Sequence, residues 1–498
     1  MMRASFASIV LALGVTGLAV GCSDGFGDLR NSSTLQVTVQ SGELGAKDKR
    51  IPITFTDPKF VVLHIEAHRP DGSIDNTFNG AVRISTKPGT VKTVTGPNTS
   101  GRNVFLKDGV ASDVSVGLVG AYGNTRVLVD DVGYTPVDPT RLPDAPACAD
   151  GKDNDGDHLT DFPTDTGCAF ANDDNEEAGS FVGGASPTIF FVLPRIADVR
   201  GVSQGGASTA FPHEQIALDT GYDPDKNRFE HSVVVTRIAS DGFYMTDIDD
   251  PRGYSSVFAF NFNTPPRLRV CDRLTTMTGT AADFFGFTEL GFPTWATEEY
   301  DPKQRGCLVP EPFVLTPAGL ADVATKLKNQ SALVRVITKE NLSVHVGSHF
   351  GPGFPGPDLK MTDDATNCDF NQDGKLDFTN DPEKTCAANC TADLECTEYS
   401  NFASRSGFRL VVTDSVANSS GTIQVDASTT ARVDPIKLRG QTIKSFTGTL
   451  RYFSGGSQFT IEARCEDDIV VDTKAEPLAA DKACVFPRTL ADTNAGSN

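Results

Sequence analysis

Beyond the first two dozen residues the sequence has no long apolar run. It carries 46 Gly and 29 Pro among 498 residues, and these cut the apolar segments short. That absence excludes a bundle of membrane-spanning helices, each of which needs about 20 consecutive apolar residues. It also disfavours long soluble helices and points to many short strands joined by turns. A basic excess is missing too: 44 Lys and Arg face 65 Asp and Glu, for a net charge of −21. Spread evenly, that charge would argue against nucleic acid and anionic membranes as partners. It is not spread evenly. Residues 148–178 carry a net −9 and residues 358–397 a net −7, which is −16 of the −21. The rest of the chain is close to neutral, so the acidity marks two local cation sites. Histidine is scarce at 7 residues. A chain of this length exceeds what one core organises, so several domains are expected.

The first acidic stretch runs from Cys148 to Asp161 and is closed by Cys168. Asp153, Asp155, Asp157 and Asp161 stand at relative positions 1, 3, 5 and 9. That spacing wraps alternating carboxylates around one hard cation, with the Leu159 carbonyl as a further oxygen ligand. The competing reading is a solvated acidic linker. The stretch resembles the thrombospondin type 3-like calcium repeats of bacterial surface proteins, C-x-D-G-x-D-N-D-x-D-G-x-x-D. The resemblance implies bound Ca²⁺ and an extracytoplasmic address. His158 stands where that motif has Gly.

The N-terminus carries Arg3, an apolar run from Ile9 to Val20, and then Leu18-Ala19-Val20-Gly21-Cys22. Residues 1–21 read as a signal peptide. The last five residues resemble a bacterial lipobox, with Ala19 where Leu is usual, which implies lipidation of Cys22. Removing Cys22 from eleven cysteines leaves ten, enough for five bridges in an oxidising compartment. Closeness in sequence suggests Cys148–Cys168, Cys271–Cys307 and Cys465–Cys484. Cys368, Cys386, Cys390 and Cys396 would form two more in undetermined order, and zinc fits their spacing poorly. Together these features predict a lipoprotein at the outer membrane or cell surface of a Gram-negative bacterium.

After a tether at 22–33, short period-2 runs separated by Pro-Asp-Gly, Asn-Gly and Asp-Gly turns fill residues 34–133. They predict an antiparallel sandwich that resembles bacterial Ig-like surface domains. A Pro-rich linker, 134–147, leads into the calcium module at 148–178. Strand patterns return at 188–310 in five runs, which suit a small barrel. Asp241-Gly-Phe-Tyr244, Val270-Cys-Asp-Arg-Leu274 and Thr288-Glu-Leu290 resemble OB-fold domains found upstream of the catalytic domain in secreted bacterial nucleases. A helix over 317–327, capped by Thr316, is predicted to bury Leu320, Val323, Ala324 and Leu327. A second OB-type barrel spans 316–472 and is followed by a tail at 473–498. Gly242 and Gly407, each before Phe, and then Gly279 and Gly448, mark the two barrels as copies. The predicted fold class is therefore all-β and multi-domain: an Ig-like sandwich, two OB-type barrels, small disulfide and calcium modules and one short helix.

The second barrel is interrupted by an insert at 347–400, where Asp369, Asn371, Asp373, Lys375 (through its carbonyl) and Asp377 occupy calcium-loop positions 1, 3, 5, 7 and 9. This loop resembles those of EF-hands and dockerins, with Asn380 at the position of the usual acidic twelfth ligand. Neither Gly-Asp-x-Asn nor Ser-Asp-His, the motifs of the resembling nucleases, occurs. Gly201-Val-Ser203-Gln-Gly205 fits G-x-S-x-G, but the residues after it cannot make the required helix. No catalytic residue is assigned. An enzyme of unrecognised type is the least favoured of three readings, and the other two are non-enzymatic. One is a calcium-stabilised scaffold. The other is an accessory binder of extracellular DNA, polysaccharide or another surface protein. Arg405, Arg409, Lys437, Arg439, Lys444 and Arg451, interleaved with Phe408, Phe446, Tyr452 and Phe453, suit a groove for single strands. The competing reading, barrel core with a solvated basic rim, is the preferred one.

Overall fold

A computed structural model describes residues 33–132, 145–156, 158–165, 168, 171, 173, 176, 181–347, 407–428, 438, 440–453 and 458–485. The chain forms two compact units. The first takes residues up to Leu44, Pro58–Val119 and Thr125–Ile189; the second takes Gly45–Asp57, Gly120–Asn124 and the chain from Phe190 on.

In the first unit, period-2 alternation builds two sheets. One joins β1 (Ser33–Gly42), β2 (Lys59–His68), β4 (Thr90–Thr95), β7 (Val110–Val119) and β9 (Phe181–Val182), in the order β4-β7-β2-β1-β9. The other joins β3 (Ala81–Lys87), β5 (Thr99–Ser100), β6 (Asn103–Phe105), β8 (Asn124–Asp131) and β10 (Gly184–Ala185), in the order β10-β8-β3-β6-β5, with β11 (Ile189–Phe190) also on β8. Every second residue of β2, Val61, Leu63, Ile65 and Ala67, is buried, as are Val82, Ile84, Val127 and Val129 of the other sheet. Each such aliphatic side chain removed from water contributes roughly 1.5–3 kcal/mol. The sandwich does not end at 133. After the acidic module the chain returns, and β9 pairs with β1 while β10 pairs with β8. The module is thus an excursion from the sandwich, because Phe181 is apolar enough to be recaptured against Phe78, ring centroids 4.5 Å apart.

The second unit begins with α1 (Ile196–Val199), β12 (Gln215–Ala217) and a small hairpin of β13 (Tyr222–Asp223) and β14 (Arg228–Phe229). The first barrel follows: β15 (Val233–Ala239), β16 (Gly242–Asp247), β17 (Ser256–Phe260), β18 (Arg273–Phe284) and β19 (Phe287–Glu298). β15 pairs with β16 and β18, β16 with β17, and β18 with β19, all antiparallel; β17 pairs with β19 in parallel, so the cycle closes. This is the strand order of an OB-type barrel. Val233, Val235, Phe243, Met245, Val257, Leu274, Met277 and Leu290 fill it.

β20 (Phe313–Val314) leads to α2 (Pro317–Ala321) and α3 (Val323–Lys328). The single helix expected over 317–327 is broken at Asp322, whose extended backbone frees its carboxylate to cap Ala324 and Thr325. Val323 is consequently exposed, while Leu320 is buried. The second barrel repeats the cycle with a split first strand, β21 (Leu333–Ile337) and β22 (Leu342–Gly347). Its other strands are β23 (Gly407–Asp414), β24 (Ser419–Asp426), β25 (Thr442–Ile443), β26 (Ser445–Phe453) and β27 (Gln458–Glu462). β24 pairs with β27 in parallel, and β28 (Ile469–Val470) adds to β26. Residues 473–485 are not a free tail. Cys484 is bridged to Cys465, and Ala480 packs with Val234, Cys271, Val309 and Leu333. The protein is all-β and multi-domain; its three α-helices among the described residues have six residues or fewer.

The glycines that marked the two copies occupy equivalent strands, and two of them are required there. A Cβ at Gly242 would lie 2.0 Å from the Ala259 carbonyl oxygen, and one at Gly448 2.3 Å from that of Glu462. Only glycine lets these strands approach so closely.

Candidate functional site

The acidic module is stapled by Cys148–Cys168, with Cα atoms 5.7 Å apart. Its backbone is folded by its own carboxylates. Asp153 accepts the Gly156 amide at 2.6 Å and the His158 amide at 3.0 Å. Asp161 accepts the amides of Asp150 and Gly151, tying the end of the loop to its start. His158 adopts φ +74°, the left-handed conformation that glycine supplies in such loops, so the turn survives the substitution with some strain. Leu159 is half-buried in the same loop, and Asp157 lies outside the described residues.

The sequence reading missed Glu176. It is buried, and it accepts the Asn154 amide at 2.5 Å and the Asp161 amide at 3.3 Å. Carboxylate oxygens of Asp153, Asp155 and Glu176 all lie within 4.8 Å of one another. Calcium binds oxygen at about 2.3–2.6 Å, so ligands on opposite sides of one ion stand about 4.6–5.2 Å apart. The three carboxylates therefore lie within the span that the ligands of one such ion can cover. Without a cation, three like charges this close repel one another. Asp161, expected as a ligand, also clamps the loop's first amides.

The second acidic loop, with Asp369, Asn371, Asp373, Lys375 and Asp377, lies outside the described residues, as do Cys22, Arg405, Lys437 and Arg439. Its point of departure is described. The chain leaves β22 at Gly347 and returns on β23, where Gly347 pairs with Arg409, so the insert joins the first two strands of the second barrel.

The expected basic groove divides. Phe408 and Phe446 are in the barrel core, 5.7 Å apart edge to face. Arg451 and Tyr452 face the first barrel, where Tyr452 joins the outer cluster of Tyr244, Phe258 and Phe287. The Arg451 guanidinium lies 5.8 and 5.5 Å from the ring centroids of Phe258 and Phe287 and 3.5 Å from Glu462. Glu462 also accepts Arg237 of the first barrel at 2.6 Å, so one carboxylate holds a cation from each barrel. Burial opposes the charge on both arginines; the Glu462 carboxylate outweighs it and keeps them firmly protonated. Lys444 pairs with Glu476 at 2.8 Å.

Of the described candidates, Arg409 and Tyr452 line a cleft. This hollow of about 370 Å³ lies on the outer face of β23, β24, β26 and β27, with α2 and α3 as one wall. Lys326 reaches it from α3, with Nζ 5.5 Å from the Phe459 ring centroid. Gln458 donates to Gln424 at 2.5 Å beside the Tyr452 and Phe459 rings, whose centroids are 5.1 Å apart. Gly421 leaves room for the helix wall, since a Cβ there would stand 3.1 Å from both Pro317 and Leu320.

A second titratable cluster was invisible in the sequence. His231 lies 3.2 Å from Asp219 and 3.4 Å from Asp247, and Asp247 also takes both ends of Arg195 at 2.7 Å. Burial works against a charged imidazole, but the two carboxylates prevail and raise its pKa to about 9. Ser203 sits in the short 3-10 turn Val202–Gln204 between left-handed glycines, not on a strand-to-helix elbow.

No protein-family model and no curated protein matches the chain. Among solved structures, the crystal structure of dimeric latent PorU from Porphyromonas gingivalis is similar at 11% identity over 53% of this chain, with a TM-score of 0.14. The chain matches only 29% of that protein's length, and a likeness of this size fixes neither fold nor function.

Proposed function

We propose that the chain is a calcium-binding cell-surface lipoprotein that acts as a non-catalytic scaffold, with two barrels and a sandwich held in place for display or docking. The observation that supports it is the meeting of Asp153, Asp155 and Glu176 in an excursion whose two ends are strands of the sandwich. A cation there ties the loop to the sheets, so calcium would stabilise the fold as well as fill a site. Extracellular calcium modules bind at about 10⁻⁴–10⁻³ M. Millimolar Ca²⁺ at ten to a hundred times Kd then adds roughly 1.4–2.7 kcal/mol. Calorimetry on wild type and Glu176→Gln should show the heat and a rise of several degrees in Tm, with both reduced in the variant. A chain whose melting ignores both calcium and chelator is not calcium-stabilised. The anchor rests on Cys22. Palmitate-analogue labelling of wild type but not of Cys22→Ala supports it, and equal labelling of both sinks it.

The cleft on the second barrel favours a second reading, binding of extracellular nucleic acid or polysaccharide. Its support is local: Arg409 and Lys326 line a hollow in which, among the described residues, no carboxylate appears. In a chain of net charge −21 that is a patch complementary to an anion.

A further inference from the structure

We propose that the cleft between β23, β24, β27 and α3 recognises one nucleotide-sized unit of a single strand: phosphate at Arg409 and Lys326, base against Phe459 and Tyr452, base edge on the Gln424–Gln458 pair. This rests on the second reading above and gives it a different site from the linear groove expected along 405–453. Cross-strand register assembles the cleft. Arg409 is opposite Gln424 on the β23–β24 ladder, Gln424 is beside Thr460 on β27, and Tyr452 is opposite Phe459 on the β26–β27 ladder. One strand step therefore separates a guanidinium from a side-chain amide, and the next reaches an aromatic ring. That sequence of groups matches the phosphate, base edge and base face of a nucleotide. The Gln424–Gln458 contact uses one donor and one acceptor, leaving amide hydrogens and a carbonyl oxygen to read a base. Rings offer stacking that every base can use. Acidic polysaccharide shares the anionic group and offers hydroxyls to the amide pair but has no planar π-face, so the two rings favour a nucleotide. The volume is at the small end for ligand sites, about 300–1,000 Å³, and two cations suit one or two phosphates.

The test is fluorescence anisotropy of the full chain, in millimolar Ca²⁺, with a fluorescein-labelled oligothymidylate between 50 and 200 mM salt. Two contacts on a single strand give a slope of log K against log salt of about −1.4, and each cation removed flattens it by about 0.7. Arg409→Ala and Lys326→Ala should each take away that increment, and Arg409→Lys should keep it. Lys444→Ala, whose ammonium is already paired with Glu476, should change nothing. Lys326 lies on a short outer helix, so its variant keeps the fold even if Arg409→Ala does not. Phe459→Ala should weaken binding about tenfold at every salt concentration. If wild type binds but neither cation variant alters the slope, the cleft is the wrong site while the second reading stands. If wild type does not bind the oligonucleotide but binds a uronic-acid oligosaccharide through Arg409, the nucleotide assignment is overturned in favour of acidic polysaccharide. If neither probe binds at 50 mM salt, both the inference and the second reading fail.

Discussion

The two barrels share one strand cycle and differ in what they do with the same outer face. On the first, period-2 alternation turns Tyr244 and Phe258 outward, and with Phe287 they are covered by Arg451 and Tyr452 of the second barrel. On the second, the equivalent ladder turns Arg409, Thr422 and Gln424 outward onto an open cleft. Topology decides which strands make the face; the outward residues decide whether it closes or stays accessible. An aromatic face excludes water and recruits another apolar surface. A face of guanidinium, hydroxyl and amide gains little from being covered unless every group finds a partner. One copy of the fold therefore serves as a joint, while the other keeps its face available.

Breaking the joint should produce the largest effect. Glu462 holds Arg237 and Arg451 together, and Arg237 is almost fully buried. Glu462→Gln leaves two guanidinium groups without their counter-charge, and removing one partner of a buried ionic pair costs about 3–5 kcal/mol. Urea unfolding should register that loss as a lower midpoint. Gln424→Leu on the open face should stay within about 0.5 kcal/mol, the usual range for surface substitutions. A cost below about 1 kcal/mol for Glu462→Gln would mean that the aromatic cluster alone joins the barrels.

Much of this was legible in the sequence because sheets write themselves locally. A period of two marks each strand, and glycines at 242, 279, 407 and 448 betray the duplicated barrel, Gly242 and Gly448 through steric need. What escaped was set by distance along the chain. Glu176 lies far beyond the 1-3-5-9 register of Asp153 and reaches the loop only because the disulfide and the return to β9 fold it back. Asp161 fits the register, and nothing near it in sequence shows that it also accepts two backbone amides from the start of the loop. Arg451 and Tyr452 looked like a basic aromatic rim; nothing near them in sequence shows that the partner face belongs to residues 244–287. The return at 181–185 escapes because two-residue strands carry no periodicity.

The smaller prediction sharpens the comparison through charge chemistry. Each barrel has a cation locked against carboxylates beside its core. In the second, Arg464 meets Asp468 at 2.8 Å, both side chains almost wholly buried, and a guanidinium does not titrate in any ordinary range. In the first, the cation is His231, facing Asp219 and Asp247, with Arg195 on the far side of Asp247 and Asp250 3.5 Å from Arg195. The folded imidazole has its pKa raised to about 9, against about 6.5 when unfolded. A raised folded pKa means that the folded state holds the proton more tightly. The stabilisation is therefore fully present below about pH 6.5 and is lost as pH rises through about 9. His231→Gln keeps a hydrogen-bonding side chain but removes the charge, and should lower stability by about 1–3 kcal/mol at pH 6. At pH 10 the two proteins should unfold almost together. A difference that stays constant from pH 6 to 10 would mean that His231 contributes by packing rather than by its proton. Arg464→Met strips a buried carboxylate of its counter-charge and should cost about 3–5 kcal/mol already at pH 6.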